Sequence, residues 1–115
     1  MIGHKELYDL LKTLTIQIDP YHTRNIPVAY DHFDSNKNIE LPFVVYREQA
    51  PSTFRADDLT FHQFFNDEIE LVTEKKEIAL EREIEGLLTT NKIPYSKSDE
   101  VWDNDEKIYH NFYEI

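Results

Sequence analysis

Cysteine is absent from this 115-residue chain, and only two residues, Gly3 and Gly86, are glycine. Without cysteine there is no disulfide framework, no thiolate chemistry and no cysteine-held zinc. Two isolated glycines cannot form a glycine-rich loop that cradles phosphate. Basic residues are also scarce: 12 Lys and Arg stand against 23 Asp and Glu, a formal charge of -11. A chain of that sign lacks the basic patch that neutralises phosphates, which argues against sequence-specific nucleic-acid binding and against docking on anionic membranes. No run approaches the ~18 apolar residues of a membrane span. The opening Met1-Ile2-Gly3-His4-Lys5-Glu6 has no apolar signal-like stretch. These absences set the expectation of a protein that works in a cytoplasm or in a particle assembled there.

What is present points to a folded unit. Hydrophobic residues make up 40% and aromatic residues 13%, too rich for a disordered chain. The length suits one domain spanning residues 1–115. Leu7, Leu10, Leu11 and Leu14 recur at helical spacing and predict a helix over 3–16, stopped by Asp19-Pro20. Alternation predicts a strand over 26–33. A polar stretch at 34–38 then leads to a second strand over 41–48, centred on Phe43-Val44-Val45-Tyr46, and a hairpin is the natural pairing. Residues 49–58 have no periodicity and read as an exposed loop. Phe61, Phe65, Ile69, Leu71 and Thr73 share one parity and predict a long strand over 59–73. Ile78, Leu80, Ile84, Leu87 and Leu88 mark a helix over 74–91, with Thr73 as its expected N-cap and Gly86 as a point of close approach to a sheet or a second subunit. Two strands over 93–101 and 107–115 close the chain, the first carrying Tyr95, Lys97, Asp99 and Val101 on one side. The expected fold class is α+β: an antiparallel or mixed sheet of about five strands with two helices on one face, in the order α-β-β-β-α-β-β. The expected shared core is Leu7, Leu10, Leu11, Leu14, Val44, Ile69, Leu71, Leu80, Ile84 and Leu87.

No constellation points to catalysis. Asp99, Glu100, Asp103, Asp105 and Glu106 lack the spacing and the glycine of a helix–loop–helix calcium site, and read as a solvated hairpin turn. His4, His22, His32, His62 and His110 include no pair at the i, i+4 spacing of a helical zinc motif. Ser52 and Thr53 lack the strand–turn–helix setting of a nucleophile elbow. The expectation is a non-enzyme with no cofactor and no metal. Surface remains as the carrier of function. Phe54 and Arg55 in the 49–58 loop, with Ser52, Thr53, Asp57 and Asp58, together with Phe64 and Tyr113, are the candidate interface residues, because aromatics and Arg are enriched at interface centres.

The run Leu41-Pro42-Phe43-Val44-Val45-Tyr46-Arg47, a loop ending Arg55-Ala56-Asp57-Asp58, the strand Glu68-Ile69-Glu70-Leu71-Val72-Thr73 and the helix start that follows resemble the tail terminator and tail completion proteins of long-tailed phages and prophages. The closing Tyr109-His110-Asn111-Phe112-Tyr113-Glu114-Ile115 also fits that pattern. The resemblance implies a structural role in the virion tail or neck, assembled in a bacterial cytoplasm. It implies a closed ring, usually a homo-hexamer, that ends tail polymerisation, with the tail tube protein and the head–tail connector or neck proteins as partners. Genome DNA would pass through such a ring, and an acidic lumen would let it slide. A head–tail connector protein is the neighbouring alternative. An acidic DNA-mimic inhibitor is a third reading, favoured by the charge, with residues 59–115 holding 14 acids and 6 bases; a mimic needs those acids on one continuous face.

Overall fold

The architecture is known from a computed structural model, which describes residues 3–33, 39–48 and 67–115. In chain order the elements are α1 (His4–Leu11), β1 (Thr15–Asp19), β2 (His22–Asn25), β3 (Val28–Tyr30), β4 (Phe43–Glu48), β5 (Asp67–Thr73), α2 (Ile78–Thr90), β6 (Ser96–Asp103) and β7 (Ile108–Glu114). A five-stranded sheet runs β3-β4-β5-β7-β6, and β1 with β2 makes a separate two-stranded ribbon. This is an α+β fold with a mixed sheet.

The first helix is shorter than its leucine spacing suggests. Thr13, Thr15, Ile16 and Ile18 are β-branched, which disfavours helix and favours strand. The helix closes with the Lys12 amide donating to Tyr8 at 3.0 Å and the Thr13 hydroxyl to the Leu10 carbonyl at 2.6 Å. Pro20 does not end a helix; it sits in the β1–β2 turn, where Asp19 Oδ1 accepts the Tyr21 amide at 2.8 Å. This hairpin was not expected.

The strand pairing of β3 also departs from expectation. It runs parallel to β4, with Val28, Ala29 and Tyr30 opposite Val44, Val45 and Tyr46. Strand β3 ends at Tyr30 and β4 begins at Phe43, so the connection is far beyond the two to five residues or so of a tight hairpin and long enough for a crossover. The parallel register sets the Tyr30 and Tyr46 rings edge to face at 5.2 Å, with the His4 ring of α1 5.2 Å from Tyr30. The other three pairings are antiparallel.

Register sorts the side chains onto two faces. Val44 lies opposite Leu71, and Tyr46 and Tyr113 both lie opposite Ile69. These five pack into one core with Leu7, Leu11 and Leu14 from the N-terminal segment and Leu80, Ile84 and Leu88 from α2. Both helices therefore cover the same face. Of the expected core, Leu10 and Leu87 are only partly buried, and Leu88, Ile26 and Ile115 join it instead. Ile78, assigned to the apolar face of α2, is 56% exposed, because it opens the helix beyond the edge of that stripe. Thr73 is not an N-cap: it ends β5, buried, and Glu77 occupies the cap position without a side-chain hydrogen bond. At Gly86 an added Cβ would meet nothing within 4 Å, so no sheet approaches it closely.

Candidate interface surfaces

The candidate interface residues Ser52, Thr53, Phe54, Arg55, Asp57, Asp58 and Phe64 lie outside the described residues, as does the 59–66 part of the expected long strand. Tyr113 is described and is not a surface residue. It is 0% exposed, on the helix-covered face of β7, and its hydroxyl donates to Glu85 Oε2 at 3.0 Å. Burial, with the Glu85 carboxylate adding to it, pushes the Tyr113 phenol far above its ordinary value. An aromatic near a chain end suits an interface by type alone. Its parity with Asn111 and Tyr109, opposite Leu71 and Thr73, is the signal that assigns it to the core.

On the helix side, charge is balanced. Glu81, 3% exposed, accepts Lys97 at 2.8 Å and Lys76 at 3.1 Å on Oε1. Glu100 accepts Lys97 at 2.9 Å and also pairs with Lys76. Two ammonium groups thus sit between two carboxylates and tie the start of α2 to β6. Hydrogen bonds from Lys76 and then Lys97 hold the Glu100 carboxyl below its usual range. The bond to Glu100 leads in raising Lys76; at Lys97 partial burial opposes the rise, and the two glutamates outweigh it. Nearby on the same face, Thr73 Oγ1 and both amide atoms of Asn111 are buried without hydrogen-bond partners among the described residues.

The other face carries a line of charge across three strands. Arg47 on β4 donates to Glu68 at 2.7 Å and Glu70 at 2.9 Å on β5, and its Nε lies 3.7 Å from Asp31. Partial burial opposes the Arg47 charge, and Glu70 and Glu68 more than restore it. Glu70 Oε2 in turn holds His110 Nδ1 of β7 at 2.5 Å. The His110 and Phe112 rings stack 6.2 Å apart. Beside them lies an open cleft of about 500 Å³ lined by Glu70, Val101, Trp102, Asp103, His110 and Phe112 among others. Val101 is 41% exposed and Trp102 44%.

A β-bulge builds this rim. Lys97 pairs with Tyr113 and Asp99 with Phe112, so Ser98 is an extra residue and the parity of β6 reverses across it. The expected common side for Lys97, Asp99 and Val101 is therefore split: Lys97 faces the helices, whereas Asp99 and Val101 face away. The β6–β7 turn is a polar hairpin turn, as expected. Asp103 Oδ1 accepts the amides of Asp105 at 2.9 Å and Glu106 at 3.1 Å.

His62 lies outside the described residues, and the four described histidines do not converge. His4 pairs with Asp67, His22 with Asp19, His32 with Asp31 and His110 with Glu70. Among the described residues no group of three or more His, Asp or Glu is placed to hold a metal ion, and no helix is long and apolar enough to cross a membrane. No family model matches the chain, and neither a curated protein nor a solved structure matches it.

Proposed function

We propose that this chain is a structural assembly protein of a phage tail: copies close into a ring, six in the families it resembles, that caps the tail tube, ends its polymerisation and offers the surface to which the head docks. The observation that carries this reading is the position of the two segments on which the resemblance rests. They form β4 and β5, adjacent antiparallel strands at the centre of the sheet, with residues 49–66 between them. A central strand pair that presents its connecting segment at one end suits a scaffold that holds a contact loop for a neighbour. A neighbouring head–tail joining role would use the same scaffold, and the partner engaged separates the two.

Electron microscopy of the purified chain, alone and mixed with tail tubes, tests the reading. Rings, and tubes capped at one end, are the expected result. Deleting residues 52–55 should leave the chain folded by circular dichroism and abolish both rings and capping. A chain that stays monomeric at high concentration and leaves tubes uncapped overturns the proposal.

A further inference from the structure

The β1–β2 ribbon stands apart from the five-stranded sheet. Its base is fixed: Ile16 packs on the core, the Asn25 side-chain amide donates to the Lys12 carbonyl at 2.9 Å, and Arg24 donates to the Leu41 carbonyl at 2.8 Å. Beyond the base, Gln17, Asp19, Pro20, Tyr21, His22 and Thr23 are all exposed. Their hydrogen bonds and ion pairs stay within the ribbon among the described residues. At about three residues a strand, this half projects about 10 Å. A two-stranded ribbon standing alone is marginal in water, but this tip is braced by its own chemistry. Pro20 fixes one φ of the two-residue loop between Asp19 and His22. Asp19 Oδ1 accepts the Tyr21 amide at 2.8 Å, and both Asp19 oxygens lie 2.9 Å from His22 Nδ1. The stiff tip holds Tyr21 90% exposed; the next most exposed large hydrophobic side chain among the described residues is Ile78, at 56%.

We infer that this ribbon is a docking arm whose Tyr21 enters the cleft on the helix-free face of a second copy. The contact rests on the assembly reading and deepens it, as the joint between successive subunits. The cleft, about 500 Å³, is in the size range that takes a small organic group, and is lined by Val101, Phe112, His110, Glu70 and Asp103 among others. Val101 and Phe112 suit the Tyr21 ring, and the Asp103 carboxylate suits its hydroxyl.

Charge selects the arm over the rest of the surface. Two copies meet with -11 on each side, but residues 15–25 hold one acid, Asp19, and one base, Arg24. The one tip carboxylate is already engaged by Tyr21 and His22. The arm can therefore approach an acidic cleft without the like-charge cost that other faces of the chain would meet. Topology selects a ring over a closed pair. The arm leads into β3 at one edge of the sheet, and the cleft lies by β6 at the other. Two different patches make a heterologous contact, which repeats until it closes. A rigid tyrosine on a braced tip loses little freedom on docking.

Sedimentation of the full chain over a range of concentrations tests the contact. The parent should associate. Tyr21→Ala, at an exposed position, should fold as the parent does by circular dichroism and associate about 30-fold more weakly or worse, as for an interface anchor. Val101→Glu should do the same from the cleft side, and Ile78→Ala, exposed but outside both patches, should associate like the parent. An equimolar mixture of Tyr21→Ala and Val101→Glu retains one intact arm and one intact cleft, so it should form dimers and no rings. If the parent forms rings and Tyr21→Ala forms them equally well, this contact is overturned and the assembly reading stands; a parent that stays monomeric overturns both. Loss in Tyr21→Ala with none in Val101→Glu overturns the cleft as the receptor. Rings that persist in Tyr21→Ala while tube capping is lost overturn the second copy as occupant, in favour of the tube protein.

Discussion

Replacing Tyr113 by Phe separates a core residue from an interface residue. The change removes one oxygen and leaves the ring in place among Ile69, Leu88 and their neighbours. It deletes the 3.0 Å hydrogen bond that the phenol donates to Glu85. A bond to a charged acceptor is worth about 1.5–3 kcal/mol. Glu85 retains 18% side-chain exposure and a second partner in Arg82 at 2.9 Å, so water and Arg82 recover part of the loss, and we expect a cost of about 1–2 kcal/mol. For a domain of this length that is a fall in Tm of about 4–8 °C. The pH dependence is more diagnostic. The Tyr113 phenol is raised above its ordinary value of 10.0 by burial and by Glu85. Its stabilising contribution is therefore complete below that value and is lost as pH rises above it. There the unfolded chain has released the proton that the native chain keeps, so stability falls by about 1.4 kcal/mol per pH unit for this group. The Phe variant lacks this group, so the gap between the two proteins should close within about one to two pH units above that value. Urea unfolding followed by circular dichroism from neutral to strongly alkaline pH reads both effects; lysines titrate alike in both proteins and cancel. A gap that stays constant with pH, or a variant of unchanged stability with altered self-association, would refute the core assignment.

Three further outcomes follow from the packing. Leu11→Ala and Ile84→Ala, each at a fully buried position, should each cost about 2–5 kcal/mol by chemical denaturation; a loss under about 0.5 kcal/mol would mean that the helix faces are misassigned. Glu81→Gln leaves Lys76 and Lys97 facing each other across a buried amide, and should cost about 1–3 kcal/mol at neutral pH, less than a fully buried pair because both lysines reach solvent. Gly86→Ala should stabilise the isolated chain by about 0.5–1 kcal/mol, since the added methyl meets nothing within 4 Å; a loss of stability would show that the helix is displaced there.

The elements most legible in the sequence are those whose periodicity is undisturbed. Leu80, Ile84 and Leu88 recur every fourth residue, and α2 lies where that stripe predicts. The central strands β4 and β5 carry β-branched and aromatic runs that leave little alternative. The errors arise where local signals compete. Leu14 continues the leucine spacing of α1, so the helix reads as longer than it is. Thr15-Ile16-Gln17-Ile18-Asp19 carries the alternation that marks β1, and Pro20 belongs to its turn. The parallel pairing of β3 is a tertiary outcome. Three residues of strand cannot encode a partner's direction, and the long connection to β4 was the available hint.

The site was harder to read because its two determinants are invisible to composition. Net charge states that carboxylates outnumber cations, but not on which face the excess falls. That is decided by the bulge at Ser98. Without the extra residue, Asp99 and Val101 would share the side of Lys97, and Glu100 and Trp102 would turn outward. Glu100 would then lose Lys76 and Lys97, and Trp102 would leave the Tyr109 ring that it meets at 4.6 Å. The bulge therefore does two things at once. It delivers Glu100 to the lysines that neutralise it, and it sends Asp99 and Val101 to the opposite face of the sheet. The same inserted residue that completes the ion pairs beneath α2 therefore also sets Asp99 beside Phe112 and Val101 beside His110 on the other face of the sheet.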